Sequence, residues 1–289
     1  MFLFFLIVVL IYIKLALIFT FLVHRLPRNP IADVPDWGNI EDHRIPTVGG
    51  GMLEVWRVTP DLEPGEASRG TVVLAHGWGR NRGRMVGRAR AFAEMGFSTI
   101  LHSARDHGSS TKKLMMNAVG FGEDIESVLR WAGAEKEPVL LYGHSAGSGG
   151  SAIAASRHPT WIKALFLEGS FPDVREARLS LYRWFHPLFG YLFGPAIVFF
   201  AKLYFGISWQ AIAPANLAKN ISCPVMIIHG ARDRRFPVSF APRLRDAFKH
   251  VPTAMFLAPN SGHSDSSLDP DFIPSVRRFL QTNGFDIRN

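Results

Sequence analysis

The chain has 289 residues, 47% of them hydrophobic and 19% charged, enough apolar material for one large folded domain or two smaller ones and too much for a disordered chain. A formal charge of +8 favours an anionic surface, nucleic acid or phospholipid headgroups, over an acidic protein partner without choosing between the two. The single cysteine, Cys223, excludes an intrachain disulfide; standing before Pro224 and an apolar run, it reads as an inert structural thiol, and a reducing compartment fits.

In chain order, the first element is FLFFLIVVLIYIKLALIFTFLV, Phe2 to Val23, long enough as a helix to cross a hydrocarbon core of about 30 Å. Lys14 opposes insertion by about 2.5–3.5 kcal/mol, whereas each Leu, Ile, Phe or Val favours it by roughly 0.3–0.6, so insertion wins. The run lacks a basic n-region and an A-x-A site, which favours an anchor over residues 1–24 rather than a cleaved signal. His24, Arg25 and Arg28 follow it with no basic side chain before it, so the expected topology is single-pass with the rest of the chain in the cytoplasm.

Residues 25–46 are rich in proline and aperiodic, a linker, and the folded domain is expected over 47–289. MLEVWRV and TVVLAH predict two strands joined as a hairpin through TPDLEPGEASRG. RMVGRARAFAEMG and FGEDIESVLRWA carry helical spacing, while FSTILH, VLLYGH, ALFLEG, VMIIHG and AMFLAP are buried-strand runs. This alternation predicts an α/β fold, a mainly parallel sheet covered by helices on both faces, with ligands beyond the carboxyl ends of the strands. One segment breaks the rhythm: Tyr182 to Gly206 is dense in aromatics and resembles a second membrane segment.

The chemistry is concentrated at strand ends. GHSAG, Gly143 to Gly147, follows VLLY and precedes a small-residue segment, a corner that holds Ser145 out on a strained turn. A serine hydroxyl needs a base and the base an orienting acid. Asp233 lies just past VMIIHG and His263 just past AMFLAP, in the chain order Ser, Asp, His. TVVLA runs into HGWG, which makes the backbone N–H groups of Trp78 and Ala146 the expected oxyanion donors, with Gly77 permitting close approach and His76 shaping the loop.

HGWG, RDHGSS, GHSAG, GARDRRFP and SGHS together resemble the α/β-hydrolase family, in its serine esterase, lipase and serine aminopeptidase-like branch. RDHGSS departs from the family's D-x-R-G-H-G-x-S in having Ser103 for the first acid and Asp106 for a glycine. The resemblance implies a helical cap inserted at about 171–217. A membrane crossing there would put Ser145 on the other side of the bilayer from Asp233 and His263, so the aromatic segment is expected to be a lid, a pocket wall or a membrane-dipping element, with an ordinary buried helical pair as the alternative.

No lysine stands beside the glycines to make a phosphate-binding loop, and HSARDH has Ala104 where a metal ligand would belong, so neither a bound cofactor nor a metal is expected. Arg80, Arg82, Arg84, Arg88 and Arg90 read as a solvated basic face, with headgroup contact as the alternative, and no nucleic-acid module is visible. The expected activity is hydrolysis of a small-molecule acyl ester or lipid by Ser145, His263 and Asp233 through an acyl-enzyme. The same triad serves thioesterases, amidases, aminopeptidases and acyltransferases, and a membrane-tethered binding module or scaffold is the rival from another class.

Overall fold

The computed structural model describes residues 1–25 and 28–288, so Leu26 and Pro27 of the expected linker and the terminal Asn289 lie outside the described residues. Helix α1 (Phe2–Val23) is followed by β1 (Asn39–Thr47), β2 (Gly51–Thr59) and β3 (Thr71–Ala75). Then α2 (Val86–Glu94), β4 (Ser98–His102), α3 (Ala118–Trp131), β5 (Val139–His144), α4 (Ala146–Arg157) and β6 (Ile162–Glu168) alternate. Four helices intervene, α5 (Val174–Phe185), α6 (Pro187–Leu192), α7 (Gly194–Phe205) and α8 (Pro214–Leu217), before β7 (Val225–Gly230), α9 (Phe240–Ala247), β8 (Thr253–Ala258) and α10 (Phe272–Thr282).

The eight strands form one sheet in the order β1-β2-β4-β3-β5-β6-β7-β8, with β3 to β8 parallel and β1 and β2 antiparallel at one edge. Successive side chains on a strand point to opposite faces. Val73, Leu141, Leu165 and Ile227 therefore join the core under α3, α4 and α9, whereas Leu74, Tyr142, Phe166 and Ile228 join Phe92 of α2 and Phe279 of α10. Phe92 meets Tyr142 and Phe166 edge-on at ring-centroid distances of 5.9 and 5.3 Å. Full burial of a side chain such as Phe166 stabilises the fold by about 1.5–3 kcal/mol.

Two expectations are corrected. The sheet begins at Asn39, not near Thr47: NIEDHRIPT pairs along its whole length with β2, from Asn39 opposite Thr59 to Thr47 opposite Gly51. As an edge strand it tolerates Pro46 and a run of exposed charges, which hide it from a search for apolar runs. Nor do β2 and β3 form a hairpin. Between them lies β4, paired antiparallel with β2 and parallel with β3, because the wholly apolar VVLA of β3 needs a partner on both edges and cover on both faces.

Helix α1 is the one helix among the described residues long and apolar enough to cross a membrane, with mean hydropathy 3.0 over its most apolar window. It is not a free tether. The Tyr12 hydroxyl donates to the Leu192 carbonyl (2.7 Å), and Phe19 packs edge-on against Phe189 and Phe193. At its end the His24 carbonyl accepts from the Met116 N–H at 3.1 Å. The aromatic segment is broken by chain turns at His186 and Phe193, and its most apolar piece, α7, is too short to cross a bilayer.

Candidate active site

Strand β5 delivers Ser145 to the carboxyl edge of the sheet, where its φ of 54° and ψ of −116° are strained for a residue with a side chain. The turn is tight enough that a Cβ on Gly147 would lie 2.5 Å from the carbonyl oxygens of Ala75 and His76, and one on Gly143 would lie 2.5 Å from the Gly147 carbonyl oxygen. Those contacts explain why glycine stands on both sides of the serine. The Ser145 N–H donates to the Glu168 carbonyl at 2.9 Å, fixing the corner to the neighbouring strand.

The loops after β7 and β8 bring the other two residues to it. His263 Nε2 lies 2.8 Å from Ser145 Oγ, and Nδ1 lies 2.7 Å from Asp233 Oδ2. The other carboxylate oxygen, Oδ1, accepts from the backbone N–H groups of Arg235 (2.8 Å) and Phe236 (3.0 Å), which orients the acid. Burial raises the Asp233 pKa, but the hydrogen bond and charge of His263, with the Phe236 N–H, outweigh it and hold the carboxyl below its usual range. Asp233 is thus ionised at neutral pH and keeps the proton of the neutral imidazole on Nδ1, leaving the Nε2 lone pair toward the serine.

Trp78 and Ala146 line a cavity of about 110 Å³ together with Ser145, Phe171, Tyr182 and Phe236. Ala146 is the first residue of α4, where backbone N–H groups have no partner within the helix. The HGWG loop is held by histidines. His76 Nδ1 donates to the Gly77 carbonyl and its Nε2 accepts from the Ala104 N–H, while His107 Nε2 accepts from the Gly79 N–H. Both ring nitrogens of His107 face backbone groups, the Arg105 carbonyl and the Gly79 amide, which is a loop-bracing role. The departure at Asp106 is accommodated because aspartate tolerates the left-handed conformation, φ 66°, and its Oδ1 accepts from the Lys113 N–H.

Several residues that position the site were missed from sequence. His144 Nε2 donates to the His263 carbonyl at 3.0 Å, and His229 Nε2 donates to the Phe236 carbonyl at 3.1 Å, so each supports one of the two loops that carry His263 and Asp233. The arginine run is not a solvated face throughout. Arg88 is buried against Glu168 and also donates to the Ser264 carbonyl, while Arg82 pairs with Asp42 and covers the ring of Trp56. Burial alone would raise the Glu168 carboxyl, but the Arg88 guanidinium holds it at about 2.

Burial lowers His144 to about 3 and His102 to about 4, so both are neutral in the folded chain. The unfolded chain binds protons at these positions from about pH 6.5 downward, and the folded chain does not until the lower values are reached. Stability is therefore expected to fall as pH drops from 7 to 5, by about 2 kcal/mol for each histidine, and Glu168 stays ionised throughout this window. Urea unfolding of the full chain in non-ionic detergent, followed by tryptophan fluorescence at the two pH values, measures this; equal midpoints would contradict it.

The family model described as serine aminopeptidase, S33, matches residues 66–202. A monoacylglycerol lipase of Mycolicibacterium smegmatis is 26% identical over 240 residues, covering 71% of this chain and 83% of that protein. The lysophosphatidylserine lipase ABHD12 of Mus musculus is 28% identical over 219 residues, covering 70% of this chain and 51% of that protein. Among solved structures, a Pyrococcus furiosus esterase superposes with a TM-score of 0.68 at 18% identity, covering 89% of this chain and 97% of that one. The sheet order, the strand-turn-helix corner at Ser145 and these likenesses agree: the chain has the α/β-hydrolase fold and is similar to serine aminopeptidase-like proteins, esterases and lipases.

Proposed function

We propose that this chain is a serine hydrolase that cleaves carboxylic esters with an apolar acyl group at a membrane surface. The observation that carries the reading is the continuous hydrogen-bonded line from Ser145 Oγ through His263 to Asp233, opening on a cavity walled by apolar side chains. Ser145 attacks the ester carbonyl while His263 Nε2 takes its proton; the charge that develops on the carbonyl oxygen is met by the N–H groups of Trp78 and Ala146. Collapse of the tetrahedral intermediate returns the proton to the departing alcohol and leaves the acyl group on Ser145. Water, deprotonated by His263, then releases the acid. Asp233 holds the imidazole in the required tautomer and stabilises its cation, and no step calls for a cofactor.

The membrane part of the proposal rests on α1 and its continuity with the cap. Phe185, Leu188, Tyr191, Phe199, Leu203 and Tyr204 are exposed on α5, α6 and α7, the helices beside α1. A bilayer crossed by α1 would take up this apolar surface, with the hydrolase domain on the cytoplasmic side given His24, Arg25 and Arg28 after the span. The relatives named for lipases of monoacylglycerol and lysophosphatidylserine point to lipid esters. The test is labelling of the full chain in detergent by a fluorophosphonate probe, with the modified peptide mapped by mass spectrometry, alongside turnover of p-nitrophenyl esters of graded acyl length. Modification at Ser145 and turnover that rises with acyl length are expected; an unlabelled Ser145 would refute the reading.

A further inference from the structure

The cavity at Ser145 is lined by one charged side chain, Arg178 of α5, and by the end of the membrane helix, Val23 and His24. The fully buried arginines have carboxylate partners, Arg82 with Asp42, Arg88 with Glu168 and Arg105 with Asp124, whereas half-buried ones such as Arg28, Arg57, Arg178 and Arg235 have none among the described residues; of these, Arg178 is the one that lines the cavity. Its neighbours on α5 are committed elsewhere, since Asp173 caps the helix through the Glu176 N–H and Glu176 pairs with Arg243. The partners of Arg178 are uncharged: Nη1 donates to His24 Nε2, and the guanidinium lies 4.8 Å from the ring centroid of Trp209.

The charge state of His24 follows from its bonds. Its Nδ1 faces the Thr20 carbonyl oxygen at 2.7 Å, an acceptor only, so Nδ1 carries a proton. Its Nε2 faces a guanidinium, a donor only, so Nε2 presents a lone pair. The imidazole is neutral and cannot balance the arginine, and the C-terminal end of α1 offers only a partial negative charge. A permanently charged group thus lines the same cavity as the nucleophile, held by the residue that caps the C-terminal end of α1, with no counter-charge among the described residues.

We infer that Arg178 binds a negatively charged oxygen group of the ligand, phosphate or carboxylate, so that the preferred substrates are anionic acyl lipids and His24 is a positioning residue that aims the guanidinium. The turnover part of this inference rests on the proposed ester hydrolysis; the binding part does not. It also gives α1 a role beyond attachment, because a domain cut free of α1 loses both a wall of the cavity and the acceptor that orients Arg178.

The experiment uses the full chain in non-ionic detergent and three probes of one acyl length: oleoyl lysophosphatidylglycerol, neutral monooleoylglycerol, and oleate. Binding is measured on the Ser145→Ala chain, with and without Arg178→Met, and the ratio of kcat/KM for the two esters is measured with Ser145 present. A charge-assisted contact predicts that Arg178→Met weakens anionic binding relative to neutral binding by roughly ten- to a hundred-fold and lowers the kcat/KM ratio similarly. Arg178→Lys should restore part of it, and His24→Phe should lower the ratio without removing the charge. Loss confined to lysophosphatidylglycerol identifies a headgroup phosphate as the ligand, and loss confined to oleate identifies a fatty-acid carboxylate. A wild-type chain that prefers the neutral lipid, or an Arg178→Met change that weakens all three probes equally, overturns the inference. If the wild-type chain hydrolyses neither ester but the anionic lipid still binds in an Arg178-dependent way, the inference stands and the hydrolase reading falls.

Discussion

Replacing Ser145 with alanine is expected to lower kcat for ester hydrolysis by roughly 10⁴- to 10⁶-fold, with the chain still folded. The hydroxyl is the atom that would bond to the acyl carbon, and its removal leaves only the cavity and the oxyanion donors to act on bound ester. His263→Ala should cost about as much, and the double substitution little more than either alone, because proton acceptor and nucleophile serve one step. Asp233→Asn is the more informative variant. Oδ1 accepts from two backbone amides, so the asparagine carbonyl oxygen takes that position and its NH₂ faces His263 Nδ1. That forces the proton onto Nε2, where it blocks proton transfer from Ser145, and a drop of about 10⁴-fold is expected with the geometry intact. Single-turnover kinetics on one p-nitrophenyl ester, with circular dichroism as the folding control, measures all four variants. Additive losses for Ser145 and His263 would contradict action as a unit.

The largest effect on stability is expected at Glu168. Its side chain is fully buried, receives Arg88 Nε at 2.5 Å and Nη2 at 2.6 Å, and accepts the Tyr142 hydroxyl at 2.8 Å. Truncating one member of such a pair leaves the other charge buried without compensation, so Glu168→Ala should lose about 3–5 kcal/mol, a large share of the about 5–15 kcal/mol that stabilises a typical domain. Adding Arg88→Met should recover much of the loss, since the double variant removes the stranded charge together with its partner. The same pair reaches the site, as Arg88 also holds the Ser264 carbonyl beside His263. Urea midpoints for the two single variants and the double one decide the matter; equal destabilisation by Glu168→Ala with and without Arg88 would argue against a stranded charge.

Some of this was legible in the sequence because it depends on short-range order. Glycines flanking Ser145 between an apolar run and a small-residue segment specify a strand-turn-helix corner locally, and Asp233 and His263 each follow their own buried strand directly. A strand as polar as NIEDHRIPT gives no such signal, because at the edge it buries only Ile45 and Thr47, and Thr47 does so with its hydroxyl bonded to Asp124. The supporting roles of His144, His229 and Arg88 were equally hidden. His144 and Arg88 contact segments that are far away in the chain and adjacent only through the sheet order, and His229 braces the loop after its own strand through a backbone carbonyl that residue types do not reveal.

By itself, then, the sequence determined the parallel α/β architecture, the three strand-end residues and an N-terminal segment apolar enough for a bilayer, because periodicity and turn chemistry act over a few residues. The tertiary structure decided what the segment's end touches. An apolar helix satisfies lipid and protein alike, so composition cannot say that Phe19 packs on Phe189 or that His24 closes the cavity over Ser145. Those contacts depend on where the cap sits between β6 and β7. They make the end of the apolar helix a wall of the cavity at Ser145, beyond the anchoring role expected of it.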